Sequence, residues 1–112
     1  MYKKITFRSM DYSEAFEEHV LTKATKLDKF FKREPQPINI EIIFQAHTGK
    51  HYYTAEIIIK SKNYNLVAAL EGQDLYRMID QLIDKIVRNI AHRKEEMGHA
   101  VKVDHLLAHH IG

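Results

Sequence analysis

The chain has 112 residues, of which 45% are hydrophobic and 29% are charged, a balance typical of a single soluble globular domain. It contains no cysteine, which excludes disulfides and thiol chemistry and fits a reducing cytoplasm. No apolar run approaches the ~18 residues that a membrane helix needs, and the N-terminus lacks a secretory signal pattern, so we expect a cytoplasmic protein. The net charge of +2 is too small to indicate nucleic-acid binding, so the positions of the charges matter more than their sum.

A strand and a helix are predicted in the first third of the chain. Residues 2–8 (YKKITFR) are rich in side chains that favour strands, and Ser13 is a good helix N-cap. Apolar side chains then recur at spacings of four and three, which predicts an amphipathic helix over residues 14–33. Pro35 and Pro37 end it, because proline cannot continue the hydrogen-bond ladder. The apolar stripe of this helix consists of Phe16, Val20, Ala24, Leu27 and Phe31.

Three strands with alternating apolar residues are predicted in the middle of the chain. They cover residues 38–45, 52–60 and 64–71, and short segments with turn signals separate them. Strands this close in sequence are typical of an antiparallel meander with one face toward the core. The predicted inward residues are Ile38, Ile40, Ile42 and Phe44 in the first, Tyr53, Ala55, Ile57 and Ile59 in the second, and Leu66, Ala68 and Leu70 in the third.

The segment EGQDLYRMIDQLIDKIVRNIAHRKEE, residues 71–96, predicts a second long helix. Its apolar stripe steps by four or three residues through Leu75, Ile79, Leu82, Ile86 and Ile90. The predicted order is therefore β-α-β-β-β-α, an α+β fold with two helices packed on one face of a four-stranded sheet. We assign residues 1–97 to this domain. Residues 98–112 have no long apolar period and are predicted to be a flexible, histidine-rich C-terminal tail.

The charges of the second helix are sorted by sign. At 100° per residue, Asp80 and Asp84 fall toward one edge of the apolar face. A solvated helix face usually mixes signs as acid–base pairs one turn apart. The opposite edge instead carries bases and one amide: Arg77, Gln81, Lys85, Arg88 and His92.

The first helix also has a basic edge, formed by His19, Lys23, Lys26 and Arg33, with Lys29 just outside it. If the basic edges of the two helices face each other, the molecule carries a basic groove between them. Such edges suit contact with a phosphate backbone, which lysine and arginine bind without reading bases. They equally suit solubility and stabilisation of the helix dipole, and periodicity alone leaves both interpretations open.

Other chemistry has weaker support. The pairs His47 with His51 and His105 with His109 have spacings that metal ligands use, but no cysteine or third ligand accompanies either pair. No catalytic nucleophile with a base and no glycine-rich phosphate loop is recognisable. We therefore predict no metal site, no cofactor and no enzymatic activity. Four tyrosines could stack on bases, although tyrosine is also common in sheets: Tyr52, Tyr53, Tyr64 and Tyr76.

Two motifs give the chain a resemblance to a known family. EGQDLYRMIDQLIDK resembles the signature at the start of the last helix of the short ribosome hibernation-promoting factors, also called ribosome-associated inhibitors or sigma-54 modulation proteins. TKATKLDKFF, residues 22–31, resembles the Lys-x-x-Lys-Leu stretch of that family's first helix. The resemblance covers residues 1–97 and implies a fold similar in arrangement to double-stranded RNA-binding domains.

The resemblance also implies a function and a binding surface. Family members bind the small ribosomal subunit and its RNA, occlude the messenger and tRNA channel, and store inactive ribosomes during stress or stationary phase. The family's basic helix positions fall on Lys23, Lys26, Lys85, Arg88 and Lys94, and His92 stands where a lysine is common. Together with the helix edges, this gives a predicted RNA-binding set of Lys23, Lys26, Lys29, Arg33, Arg77, Lys85, Arg88, His92 and Lys94.

The chain length and the tail favour one branch of the family. A chain of 112 residues has no room for the second domain of long members, and the tail has only one acid, Asp104, unlike the acidic extension of the inhibitor branch. The resemblance therefore implies a short factor that favours inactive ribosome dimers together with a separate ribosome modulation factor. Neither a membrane nor a small-molecule substrate is expected. The alternatives are a general structured-RNA-binding module and a non-RNA regulator of sigma-54 activity.

Overall fold

The computed structural model describes the backbone of residues 1–47, 49 and 51–111, and within these ranges the side chains as far as residue 98. The chain forms a strand, two successive helical segments, three further strands and a long helix, which confirms the predicted α+β fold. The elements are β1 Tyr2–Arg8, α1 Glu14–Ala24, a 3-10 helix Thr25–Phe31, β2 Asn39–His47, β3 Tyr52–Lys60, β4 Asn65–Gly72 and α2 Leu75–Ile111.

The four strands form one sheet in the order β1-β2-β3-β4. β1 runs parallel to β2, whereas β2, β3 and β4 are antiparallel neighbours, so the predicted meander is confirmed. One register row crosses the sheet through Ile5, Ile42, Ile57 and Ala68. The last three of these side chains are buried, so the row marks the sheet face that the helices cover.

Helix α1 begins where the sequence predicts. Ser13 has an extended backbone, with φ −128° and ψ 112°, and its Oγ accepts a hydrogen bond from the N–H of Phe16 at 3.2 Å. Such a cap satisfies one of the amide donors that the first helical turn leaves unpaired. Glu14 and Glu17 follow in the first turn, where the helix dipole favours carboxylates.

The predicted helix over residues 14–33 is wrong in its length and form, because α1 ends at Ala24 and a 3-10 helix follows. Two hydroxyls bind carbonyls of the last α-helical turns: Thr22 donates to Glu18 at 2.9 Å, and Thr25 donates to Thr22 at 2.6 Å. Side-chain donors that bind helix carbonyls compete with the α-helical ladder, and 3-10 geometry is common at helix ends. Leu27 and Phe31 are nevertheless buried as predicted.

Helix α2 is capped by a residue that the sequence analysis did not single out. Asp74 Oδ1 accepts hydrogen bonds from the N–H groups of Tyr76, at 3.1 Å, and Arg77, at 3.3 Å. The helix extends to Ile111, beyond the boundary predicted at residue 97. The flexibility predicted for residues 98–112 stays a prediction, because the side chains after residue 98 lie outside the described part. No helix in that part is long and apolar enough to cross a membrane.

The core lies between the sheet and the helices. α1 packs over the β1–β2 half, where the Phe16 ring lies 5.0 Å from the Phe44 ring and 6.1 Å from the Phe7 ring. α2 packs over β3 and β4. The predicted stripe of α2 is buried from Ile79 onward, and Met78 and Ile83 widen it. The two helices therefore lie side by side on one face, and each keeps an outer edge in solvent.

Candidate nucleic-acid interface

The basic edge of α2 lies over β4, one of the two edge strands of the sheet. Lys85 Nζ donates a hydrogen bond to the carbonyl oxygen of Ala69, in β4, at 2.8 Å. Arg77 and Arg88 are exposed and lie on the same edge of the helix. Within the described part of the chain, neither guanidinium group has an ion pair or a hydrogen bond. We call Arg77, Lys85, Arg88 and His92 the β4-side edge.

The opposite edge of α2 faces α1. Lys23 Nζ in α1 lies 3.2 Å from Asp80 Oδ1 in α2, and the two side chains are 31% and 51% exposed. The condition for a basic groove, that the basic edges of the two helices face each other, is therefore not met. The apolar stripe of α2 must lie on β3 and β4, and this orientation turns Asp80 toward α1 and Lys85 away from it. Lys23 is only partly exposed, and its ammonium group pairs with a carboxylate.

An aromatic cluster lies where α1 and α2 meet, near the Lys23–Asp80 pair, and we call this boundary the seam between the helices. The Tyr76 ring meets the Phe16 ring at 5.0 Å and 73°, and the His19 ring at 4.8 Å and 61°. His19 Nε2 is buried there without a hydrogen-bond partner in the described part of the chain. Tyr76 itself remains 50% exposed. The seam thus combines an ion pair, an imidazole and a half-exposed aromatic ring.

A second group of cations surrounds the 3-10 helix. Lys26, Lys29 and Arg33 are exposed there, and Lys29 Nζ lies 5.3 Å from the centre of the Phe30 ring. Lys94 of α2 lies on the same side of the molecule, because its Nζ is 5.7 Å from the ring of Tyr64, which packs on Phe31. We call Lys26, Lys29, Arg33 and Lys94 the 3-10 surface. Four members of the predicted RNA-binding set, distant in sequence, therefore lie on one side of the molecule, and their binding to RNA stays a prediction.

His92 is the member of the predicted set with a competing partner. Its side chain is 74% exposed, and Nε2 lies 3.1 Å from Glu96 Oε1, one turn further along α2. Glu96 also pairs with Arg93, with 3.6 Å between Oε2 and Nη1. A neighbouring carboxylate competes with a phosphate for the imidazole. That His92 contacts RNA stays a prediction.

Glu34 ties the 3-10 helix to the turn between β3 and β4, and the sequence analysis missed it. Its carboxylate accepts hydrogen bonds from the Ser61 hydroxyl, from the Asn63 backbone N–H at 2.8 Å and from the Asn63 side chain at 2.8 Å. Burial alone would raise the pKa of Glu34, but these hydrogen bonds and the charge of Lys94 lower it. Arg93 Nε donates to the Asn63 carbonyl at 3.3 Å, so the turn is also tied to α2.

The histidines of the β2–β3 hairpin make contacts within the protein. His47 stacks on Tyr52 with 4.6 Å between ring centres, and its Nε2 lies 3.1 Å from Thr54 Oγ1. The described residues contain no group of three histidine, aspartate or glutamate side chains that could hold a metal ion. The side chains of His105 and His109 lie outside the described part.

The fold and the surface together define a small α+β protein that presents lysines and arginines from two adjacent helices. The sequence profile of the Sigma 54 modulation protein / S30EA ribosomal protein family matches residues 4–97, and the chain belongs to this family. The family resemblance predicted from the two helix motifs is thereby confirmed.

Similar proteins cover nearly the same residues. The ribosome hibernation promoting factor of Salmonella typhimurium (strain LT2) is 31% identical over 97 residues, which make up 87% of this chain and 97% of that protein. The factor of the same name from Escherichia coli (strain K12) is 30% identical with the same coverage.

Solved structures share the fold. A ribosomal subunit interface protein from Coxiella burnetii aligns with a TM-score of 0.69 and 25% identity, over 85% of this chain and 99% of that one. The N-terminal domain of Thermus thermophilus Protein Y aligns with a TM-score of 0.67 and 20% identity, over 78% and 91% respectively. The 20% identity to the Thermus thermophilus domain supports a shared fold and nothing more.

Proposed function

We propose that this protein binds the small ribosomal subunit through the cations of its two helices and occupies the channel that messenger and tRNA use. Bound there, it keeps ribosomes inactive during stress or stationary phase. The observation that carries the proposal is the β4-side edge, on which Arg77 and Arg88 lie exposed without partners in the described part. The names of the similar proteins, which refer to ribosome hibernation and to a ribosomal subunit interface, support the choice of partner.

The proposed mechanism is steric and needs no catalytic step. Guanidinium and ammonium groups bind phosphate oxygens and release counterions, so they position a protein on RNA without reading its sequence. The β4-side edge and the 3-10 surface supply such groups from two sides of the helical layer. A folded domain held in this way excludes messenger and tRNA from the volume that it fills. The protein would therefore act in the cytoplasm.

A finer part of the proposal concerns ribosome pairing. We infer that the protein favours inactive ribosome dimers together with a separate ribosome modulation factor, as the resemblance to the short branch implies. A mixture of ribosomes, this protein and such a factor would then shift toward dimers on a sucrose gradient. If only single inactive ribosomes form, the protein blocks the channel without promoting pairing.

Charge reversal on the β4-side edge tests the ribosome proposal. We expect Arg77→Glu combined with Arg88→Glu to weaken binding to purified small subunits roughly tenfold or more, because two phosphate contacts become repulsive. Neither side chain makes an ion pair or a hydrogen bond within the described part, so the fold should survive. Co-sedimentation with small subunits at moderate salt measures the affinity, and circular dichroism checks the fold.

The matched control places the same charge change on the other side of the molecule. Arg8 and Lys60 lie on the sheet face that the helices leave open, and both are exposed. Arg8→Glu with Lys60→Glu should bind small subunits as the unaltered protein does. Equal loss in both variants would indicate a net-charge effect, and full binding by the Arg77 and Arg88 variant would contradict the proposed surface.

Two further outcomes separate the alternatives. Equal affinity for bulk duplex RNA, seen as full competition against small subunits, would identify a general structured-RNA-binding module. The family description also refers to sigma 54 modulation. Binding to sigma-54 that is unaffected by the Arg77 and Arg88 substitutions would favour a regulator that does not use RNA.

A further inference from the structure

Tyr76 is an exposed aromatic ring whose position is fixed by packing. It is 50% exposed, yet its ring lies against Phe16 and His19 at centre distances of 5.0 and 4.8 Å. Phe16 is itself buried in the core, so the contact anchors Tyr76 to the rigid part of the molecule. A ring held in this way loses little conformational freedom when a flat partner stacks on it.

The other tyrosines do not offer the same combination of features. Tyr64 is 4% exposed, and Tyr52 already stacks on His47. Tyr2 is 63% exposed but lies on the open sheet face, away from the helices. Tyr12 is equally exposed, but it lies among carboxylates, and a hydrogen bond to Glu17 raises its pKa. A polyanion would avoid that position. Tyr53 is partly buried against the core, so Tyr76 remains as the exposed tyrosine at the boundary between the two helices.

The groups around Tyr76 match the parts of a nucleotide. Asp80 lies one helical turn further along the same edge of α2, and it pairs with Lys23 of α1 at 3.2 Å. Lysine suits a phosphate, whereas a carboxylate accepts hydrogen bonds from the exocyclic amino group of a base. An aromatic ring takes the face of an unstacked base. All three features lie on the seam between α1 and α2.

We infer that Tyr76, Lys23 and Asp80 form a site for one unpaired nucleotide of the bound RNA. The base stacks on the Tyr76 ring, its amino edge donates to Asp80, and Lys23 contacts the flanking phosphate. This inference rests on the proposed function and names a contact within it. Recognition here would add an unpaired base to an interface that otherwise contacts phosphates alone.

The test replaces the ring and keeps the rest of the surface. We expect Tyr76→Leu to bind small subunits roughly tenfold more weakly, because base–aromatic stacking is lost while an apolar side chain still covers Phe16. Tyr76→Phe should bind as the unaltered protein does, because stacking needs the ring and not the hydroxyl. Tyr2→Leu is the control, since it removes an exposed tyrosine from the open sheet face. Thermal unfolding of each variant checks that the fold is kept.

Ultraviolet cross-linking of the unaltered protein to small subunits gives a second measurement that does not depend on a variant. A stacked base should form a zero-length adduct with Tyr76, located by fragmentation of the peptide in mass spectrometry. Tyr76→Leu binding within about twofold of the unaltered protein, or nucleotide adducts at other residues but none at Tyr76, would overturn the inference and leave the proposed function standing. Failure of the unaltered protein to co-sediment would instead overturn the proposed function, and the inference with it.

Discussion

Glu34 shows how one residue can hold distant parts of the chain together. Its carboxylate binds Ser61 and Asn63, which are 27 and 29 residues away, and so joins the end of the 3-10 helix to the β3–β4 turn. Its hydrogen bonds outweigh the effect of burial, so its pKa lies below the ordinary value of 4.5. A carboxyl whose pKa is lowered by folding stabilises the protein above its unfolded pKa, and this stabilisation is lost as the pH falls through the folded pKa.

Replacing Glu34 should therefore have a pH-dependent effect. We expect Glu34→Gln to lower the free energy of unfolding by about 1 kcal/mol at neutral pH, because an amide replaces an ionised acceptor of three hydrogen bonds at a partly exposed site. The difference from the unaltered protein should shrink as the pH falls from the ordinary carboxyl value of 4.5 through the lower pKa of folded Glu34. Urea unfolding at neutral and acidic pH measures both values.

Glu95→Gln is the matched control, since Glu95 is exposed and the described residues include no hydrogen-bond partner for it. It should change stability little at either pH. A Glu34 difference that is the same at both pH values would show that the carboxylate charge does not matter.

For single residues, the sequence predicts a contact correctly when the two partners are close together in the chain. The Ser13 cap joins residues three apart, and helix-start chemistry is recognisable within one turn. The contacts of Glu34 and the Lys23–Asp80 pair connect residues far apart in sequence. No period or motif encodes such contacts, because they depend on how separate elements pack.

At the scale of elements, α2 protects the outer strand of the sheet. β4 is an edge strand, and Lys85 Nζ donates a hydrogen bond to its Ala69 carbonyl. Val67, two residues earlier in β4, is 54% exposed. An edge strand with exposed apolar residues tends to pair with another chain, and a lysine at the edge opposes such pairing.

We therefore expect Lys85→Ala to promote self-association through β4. The substitution removes the donor that occupies the edge carbonyl and one charge that would repel a second copy. Size-exclusion chromatography with light scattering, at increasing protein concentration, measures the change. Lys62→Ala removes the same charge from an exposed position in the β3–β4 turn and should remain as monomeric as the unaltered protein. Equal self-association of the two variants would show that Lys85 does not prevent pairing through β4.

This second role of Lys85 affects how binding data are interpreted. A Lys85 substitution that weakens RNA binding could act by removing a phosphate contact or by covering the surface through self-association. Arg77 and Arg88 lie on the same edge without a hydrogen bond to a strand in the described part, so they test the surface more directly.

The orientation of α2 also shows where a helical wheel stops being informative. The wheel sorted Asp80 and Lys85 onto opposite edges, and the structure agrees. It could not say which edge faces α1, because the position of the apolar stripe on the sheet decides that. The early end of α1 is not predictable from the period, because the apolar spacing continues through Leu27 and Phe31. The two threonine hydroxyls that bind helix carbonyls at this point leave no trace in that spacing.

At the scale of the whole molecule, the two faces of the sheet differ. The helix-bearing side carries the β4-side edge and the 3-10 surface, on which several cations lie without a carboxylate partner in the described part. The open face alternates signs: Lys4 lies 3.9 Å from Glu41, and Arg8 lies in a shallow depression with Glu56 and Glu71. Among the residues whose side chains are described, the helix-bearing side is therefore the one with the charge pattern that a phosphate backbone needs.

Binding that depends on these cations should be strongly sensitive to salt. If about six phosphates are contacted, the affinity for small subunits should fall by about a thousandfold between 50 and 200 mM monovalent salt, because each contact releases condensed counterions. The Arg77→Glu and Arg88→Glu variant should bind more weakly, and its plot of log affinity against log salt should have a shallower slope. The difference in slope should correspond to the loss of about two phosphate contacts. The Arg8→Glu and Lys60→Glu variant should keep the slope of the unaltered protein. Titrations at four or more salt concentrations give these slopes. A slope near zero for the unaltered protein would show that it is held on the ribosome by burial of apolar surface and not by the helix cations.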